Sequence, residues 1–350
     1  MMNNNDTTGA LRLPAEWEQQ DAIMMVWPHS KTDWAYMLPE VRECFCNIIR
    51  AIINEKEHLI LITPNDEEAE NVPVFDSPFF VKKKCQSNDT WARDTCAITT
   101  SKDGKLIIND FQFNGWGLKF AACYDNLITS TLFKEGLFNG TYANHLSFAL
   151  EGGSIESDGE GTLLTTSECL LSPHRNGGMT KEEIERYLIN AFGVRKVLWL
   201  DHGYLEGDDT DSHIDTLARI APGNTILYVA TDDETDAHYE ALKEMEKQLA
   251  TFTNAKNEKF NLVKLPHPQP IHDEEGNRLP ATYANFLIGN GFVLVPTYNQ
   301  PENDRLALDT IQSVFSNFKI IGIDCNALIQ QHGSLHCVTM QFPANTINNL

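Results

Sequence analysis

The sequence predicts an α/β fold built from repeated strand–helix–strand units. Three observations predict it: short apolar runs of strand length, apolar residues at helical spacing between them, and a recurrence of that order at about 60–70 residues.

The elements follow in chain order. Ile23 to Trp27 is an apolar run that reads as a buried strand. Leu38, Val41, Phe45, Ile48, Ile49 and Ile52 fall three and four apart, one face of a helix. His58 to Thr63 returns as a strand, and Leu106 to Phe113 is the next one. Asp125 to Leu132 reads as a short helix and His145 to Ala149 as a short strand. Thr180 to Phe192 opens with Thr-Lys-Glu-Glu, a capping-box start for a helix. Val194 to Leu200 and Ile226 to Thr231 are strands, Asp236 to Leu249 a helix, and Phe260 to Leu265 a strand. Tyr283 to Ile288 and Phe292 to Pro296 form a hairpin around Gly289-Asn290-Gly291. Asp304 to Phe315 is a helix and Phe318 to Ile323 the closing strand. Roughly five units result. The periodicity alone also suits a doubly wound sheet, but no G-x-G-x-x-G follows a strand, so a dinucleotide site has no support.

The chain of 350 residues is 42% hydrophobic, enough for a full core, and no linker divides it, so residues 1–350 read as one domain. The polar N-terminal stretch of about ten residues is expected to be flexible. No apolar run approaches the ~20 residues of a membrane span. The start of the chain lacks the cationic and apolar regions of a secretory signal. The eight cysteines contain no C-x-x-C pair. Reduced thiols and a cytoplasmic location are therefore expected. The net charge of −22 repels nucleic acid and anionic membranes and is compatible with a cationic partner, though a solvated acidic surface explains it equally.

Reactive side chains concentrate in four segments: Asn88 to Asp94, Glu151-Gly152-Gly153, Asp208 to Asp215, and His332 to Cys337. A single cysteine such as Cys337 is commonly a small buried hydrophobe, but a polar Gly-Ser loop is also where a reactive thiol can sit. His213 and Asp215, two apart, face one side if extended and then form a proton shuttle; a surface turn rich in aspartate is the other reading. Trp91 and Asp94 offer an aromatic face and a carboxylate suited to a guanidinium, or Arg93 pairs internally with an acid. Glu151 before two glycines marks a close backbone approach or a strand-end turn. His332 and His336 are four apart without H-E-x-x-H, which gives zinc no support.

Together these segments resemble the agmatine deiminase family, related to bacterial-type peptidyl-arginine deiminases within the guanidine-modifying enzymes. The resemblance runs from Leu13-Pro14-Ala15-Glu16-Trp17-Glu18 and Trp27-Pro28, through the segment ending at Asp94 and Phe113-Asn114-Gly115-Trp116-Gly117. It continues through Glu151-Gly152-Gly153-Ser154, Thr165 to Leu171 and His213-Ile214-Asp215, and closes with Tyr283-Ala284-Asn285-Phe286 and His332 to Cys337. It implies a pentein fold, a five-bladed β/α propeller of ββαβ repeats, and no metal or organic cofactor. It implies Cys337 as nucleophile and His213 as general acid and base. Asp94 and Asp215 grip the guanidinium, and Glu151 orients the histidine. Trp91 packs near the substrate, with Trp116 and Asn114 further binding candidates. The implied reaction converts agmatine to N-carbamoylputrescine and ammonia, a step of polyamine (putrescine) formation, by a small-molecule enzyme expected to form homo-oligomers. A deiminase of peptidyl-arginine or another guanidine, and a silent guanidinium- or polyamine-binding protein, are the alternatives.

Asp208, Asp209 and Asp211 form an acidic cluster before His213 that suits an ammonium tail, with Asp209 the chosen contact; solvated loop residues are the other reading. The chain departs from the family pattern at Cys96-Ala97, Glu156 and Thr216, all near the expected pocket.

Overall fold

The computed structural model describes residues 10–64 and 72–350, so most of the N-terminal stretch expected to be flexible lies outside the described residues. Strands β1 (Gln20–Val26) and β2 (His58–Thr63) pair in parallel, and β2 pairs in parallel with β3 (Phe80–Lys84). The continuous apolar runs of β1 and β2 suit interior parallel strands buried on both faces. The edge strand β3 reads Phe-Val-Lys-Lys-Lys, and its charges discourage further pairing. That same composition hides it from a search for apolar runs.

The next four sheets repeat one plan. β4 (Ile98–Lys102) pairs antiparallel with β5 (Lys105–Gln112), which pairs in parallel with β6 (Thr141–Ala149). β7 (Ile155–Ser157), β8 (Thr162–Thr166) and β9 (Lys196–Leu200) follow the same rule. So do β10 (Ala218–Ala221), β11 (Thr225–Ala230) and β12 (Asn261–Pro266). β13 (Leu287–Gly289), β14 (Phe292–Thr297) and β15 (Lys319–Asp324) complete the series. Finally β16 (Met340–Pro343) returns to pair antiparallel with β1, so the C-terminal strand supplies the hairpin partner that the first sheet lacks. In each sheet one parallel pair is joined through a helix, β1 to β2 in the first. The helices are Leu38–Asn54, Ile128–Lys134, Lys181–Phe192, Tyr239–Leu249 and Pro301–Val314. The result is five ββαβ units in five separate sheets.

Local chemistry explains the helices. Val41, Phe45, Ile48, Ile49 and Ile52 are buried along one face of the first, as their spacing predicts. Thr180 and Glu183 form the expected capping box, and Gly193 ends that helix in the left-handed region at φ +68°. The expected hairpin also forms, with Gly289 opposite Phe292. Its first strand is shorter than the apolar run predicts, however: pairing begins at Leu287, because the residues before it leave the ladder to serve the site described below. No helix among the described residues is long and apolar enough to cross a membrane.

The five units position the site through one shared feature. The segment just ahead of each unit's first strand carries a residue of the candidate site. Asp94 precedes β4, Glu151 and Gly153 precede β7, Asp215 precedes β10, Asn285 precedes β13 and Cys337 precedes β16. Residues far apart in sequence therefore meet because they occupy the same place in successive repeats.

Candidate active site

Cys337, Asp94, Asp215, His213, Trp91 and Trp116 all line one cavity of about 510 Å³. The thiol is buried, and its Sγ lies 3.3 Å from Asn285 Oδ1 and 3.8 Å from Asp215 Oδ2. Asn285 Oδ1 also accepts the backbone N–H groups of His336 and Cys337 at 2.9 and 3.3 Å. One amide thus fixes the turn that presents the sulfur. Sequence reasoning named the segment of Asn285 but gave this residue no role; an asparagine ahead of a hairpin carries no local signal of a distant partner.

Asp94 sits in a single helical turn, Ala92–Thr95, next to Arg93, and the two side chains part company. Arg93 pairs with Glu16 at 2.9 Å, while Asp94 joins the cavity and accepts from Trp116 Nε1 and Gly153 N, each at 2.9 Å. The internal pairing of Arg93 with an acid is realised, and Trp91 and Asp94 line the cavity together. The extended reading of His213-Ile214-Asp215 is corrected: Ile214–Leu217 is a helical turn with His213 at its cap, closed by Thr216 Oγ1 donating to His213 O at 2.8 Å. The imidazole and the carboxylate still share the cavity, through a turn rather than through strand alternation.

His213 lies between two carboxylates. Its Nδ1 is 3.8 Å from Asp94 Oδ1 and its Nε2 is 3.8 Å from Glu151 Oε2. Glu151 is fully buried and receives Arg175 Nε on both oxygens, at 2.9 and 3.0 Å. The two glycines after it are required by space: a Cβ on Gly152 would meet the Arg93 carbonyl at 2.2 Å, and one on Gly153 would meet His213 Nδ1 at 2.7 Å. Arg175 was absent from the sequence reading, since a lone arginine in a loop gives no hint of a buried partner.

Burial and neighbouring charge set the protonation states. Burial, then the Asp215 and Asp94 carboxylates, hold the Cys337 thiol well above its ordinary range. Burial also raises Asp94, aided by Asp215 and Glu151 and opposed by His213. For His213 burial opposes the charge, but Asp94, Cys169 and Glu151 outweigh it and hold the imidazole well above its usual value. Burial likewise opposes ionisation of Asp215 and Glu151. The His336 hydrogen bond keeps Asp215 low, and Arg175 does the same for Glu151. These influences favour a neutral Cys337 thiol and a charged His213 imidazole in the same cavity.

The cavity wall is acidic. Asp33, Asp89, Asp94, Asp208, Asp209 and Asp215 line it, and no lysine or arginine is among the described lining residues. Burial, with Asp125 and Asp33 beside it, pushes the Asp89 carboxyl up to about 8. Asp208 turns inward to Thr210 Oγ1 and Ser212 N at 2.6 and 2.7 Å. Asp211 is paired with Arg175 and Lys119, each at 2.5 Å. Among the described residues Asp209 pairs with His332 at 3.9 Å, and Lys119 Nζ donates to its backbone carbonyl at 2.7 Å. Asn114 does not line the cavity: its Oδ1 accepts from Gly117 N and its Nδ2 donates to His174 O, each at 2.9 Å, holding the turn that presents Trp116. Trp116, Asp211, Ser212 and His332 all carry positive φ, which places non-glycine backbone strain around this cavity.

Two of the departures in sequence have partners. Glu156 accepts from Arg219 Nε and from Ile220 N, at 2.5 and 2.9 Å, and Thr216 closes the turn already described. Among the described residues, three groups of ligand-type side chains lie close together: Glu151/Cys169/His213, Asp236/His238/His267 and Glu16/Glu156/His336. Each is already engaged by a guanidinium, from Arg175, Arg278 and Arg219 respectively, and a cation inside the donor set opposes a divalent metal. All eight cysteines are free thiols.

A thiol, an imidazole and paired carboxylates around an acidic cavity, on an α/β frame of repeated units, define the class of guanidine-modifying enzymes. The sequence profile of the Porphyromonas-type peptidyl-arginine deiminase family matches residues 12–343, and the chain belongs to that family. Proteins named "putative agmatine deiminase" from Legionella pneumophila and Mycoplasma capricolum are 32% and 34% identical to it, covering 98% of this chain and 97% and 98% of theirs. Among solved structures, one titled "putative arginine deiminase" from Porphyromonas gingivalis is 48% identical, with TM-score 0.91, covering 97% of this chain and 100% of that one. The C. jejuni agmatine deiminase with substrate bound is 38% identical, with TM-score 0.88, covering 97% of this chain and 98% of its own.

Proposed function

We propose that this protein is an agmatine deiminase, hydrolysing agmatine to N-carbamoylputrescine and ammonia through a covalent intermediate on Cys337. One observation carries the reading: the thiol lies in a cavity walled by six aspartates without a lysine or arginine among the described lining residues. A substrate with a cation at each end suits that wall, whereas the α-carboxylate of free arginine would be repelled. The relatives named agmatine deiminase support it further.

In this reading the five units are blades of one propeller domain, and their leading segments form its catalytic end. The guanidinium enters between Asp94 and Asp215, which hold it flat, oriented and protonated. Its positive charge offsets the two carboxylates that oppose thiol ionisation, so substrate binding favours loss of the Cys337 proton to solvent. The thiolate then forms a C–S bond to the guanidinium carbon. His213, kept charged by Asp94 and aligned by Glu151, gives its proton to one nitrogen, and ammonia leaves with its bonding pair. A thiouronium remains on Cys337. Neutral His213 takes a proton from water, the hydroxide adds to the same carbon, and the C–S bond breaks to release the ureido product. Asp209 meets the ammonium tail, since Asp208 and Asp211 are already engaged. Trp91 and Trp116 wall the substrate on its apolar side.

Ammonia release from agmatine, free arginine and a blocked arginine ester tests the proposal. Agmatine is expected to be turned over at least tenfold more efficiently than either competitor, and Cys337→Ala to abolish turnover. Preferential turnover of the blocked ester would assign a peptidyl substrate instead. Agmatine binding without any turnover would make the protein a silent binder.

A further inference from the structure

The residue ahead of Cys337 carries contacts that the reaction above does not use. His336 is fully buried, and its Nδ1 lies 2.8 Å from Asp215 Oδ2. Its Nε2 lies 2.8 and 3.1 Å from the two carboxylate oxygens of Glu16 and 3.0 Å from Arg219 Nη2. Both ring nitrogens and the backbone N–H are therefore held, so the imidazole cannot turn without breaking several bonds. Glu16 in turn receives Arg93 and Arg219, at 2.9 and 2.5 Å, and borders a second cavity of about 620 Å³ that does not include Cys337.

The consequence falls on Asp215. One of its oxygens, Oδ2, is committed to His336; the other, Oδ1, is buried without a hydrogen-bond partner. A carboxylate with one oxygen fixed and one open is prepared for a donor that is not part of the protein. Its surroundings would otherwise suppress its charge. Asp94 and Cys337 crowd it with potential negative charge, while His213, Arg219 and His336 favour ionisation. Burial works against the charge, and the His336 hydrogen bond is the largest influence opposing that penalty.

We propose that His336 is a positioning residue: its Nδ1–H holds Asp215 Oδ2 and so leaves Oδ1 open to the substrate cation, while Glu16 holds the ring from behind. This rests on the guanidine hydrolysis proposed above. The sequence places His336 beside the nucleophile for that reason, since the same turn must deliver the sulfur and order the carboxylate beside it.

Two variants separate the ring's two ends. In His336→Asn the amide N–H falls near the Nδ1 position and retains the donor to Asp215. In His336→Gln it falls near Nε2 and retains a donor to Glu16 but not the one to Asp215. The readout is the split between KM and kcat for ammonia release from agmatine, on variants shown to be folded by circular dichroism. His336→Asn is expected to keep the wild-type KM. His336→Gln is expected to raise KM roughly tenfold, with kcat falling less, because the grip on the cation weakens first. A wild-type KM in His336→Gln, or equal rises in both variants, overturns the inference while wild-type turnover leaves the functional reading intact. Absence of guanidine turnover by the wild type removes both together.

Discussion

Arg175 and Glu151 form an ion pair with no solvent contact, one Nε–H bifurcated to both carboxylate oxygens at 2.9 and 3.0 Å. The pair stands behind His213 and joins that histidine to the loop of Asp211, which also takes an Arg175 nitrogen.

Arg175→Met should therefore be costly in two ways. It leaves Glu151 as an unpaired buried charge, a change worth about 3–5 kcal/mol of stability. Urea denaturation measures that loss, and the double variant with Glu151→Gln should recover part of it. Ammonia release should fall in both, because Glu151 then no longer aligns His213.

Gly153→Ala tests the crowding at the same histidine. The added Cβ would lie 2.7 Å from His213 Nδ1 and 2.9 Å from Asp94 Oδ1, so one must move. A loss of roughly 100-fold in kcat is expected, since small misplacements of reacting groups have effects of that size, together with a lower melting temperature, since overpacking a buried site costs about 1–3 kcal/mol. Full activity would mean that this close approach has no catalytic purpose.

The pH profile follows from the direction of each shift. Asp94 is raised above the ordinary carboxylate range and must be ionised to grip the guanidinium, so kcat/KM should fall on acidification through a pKa above that range. His213 is raised and must be protonated to expel ammonia, so the alkaline limb should lie above the usual imidazole value of ~6.5. Trp116→Phe removes an N–H donor to Asp94 Oδ2. That donor favours the charged form, so its loss should move the acid limb to still higher pH.

Asp209→Asn should raise KM for agmatine by about tenfold, an effect of ~1.4 kcal/mol. An alkylguanidine without an ammonium tail should be unaffected. Added salt should narrow the difference between wild type and variant for agmatine, because Asp209 is partly exposed and its field is screened. Equal losses on both substrates would place the tail contact elsewhere.

Elements with strong local periodicity were legible in the sequence. The helix Leu38–Asn54 and the capped helix Lys181–Phe192 occur where spacing and capping predict them, and the hairpin at Gly289 turns where expected. The lysine-rich β3 and the short β7, β10 and β16 were not legible, because three or four residues, or a charged edge, carry no clear alternation. Asn285 and Arg175 escaped for a related reason: their importance lies in partners 52 and 24 residues away in the chain.

By itself the sequence determined the α/β class, the repeating order of elements and the identities of the thiol, the imidazole and the carboxylates. Only the tertiary structure decided how they act together. It set which oxygen of Asp215 is held and which is open, which aspartate of the acidic loop is the most loosely paired, and that Asn114 supports a turn outside the cavity. The physical reason is range: periodicity and capping are read from neighbours a few residues apart, whereas charge state and orientation are set by groups that meet only when the repeats pack together.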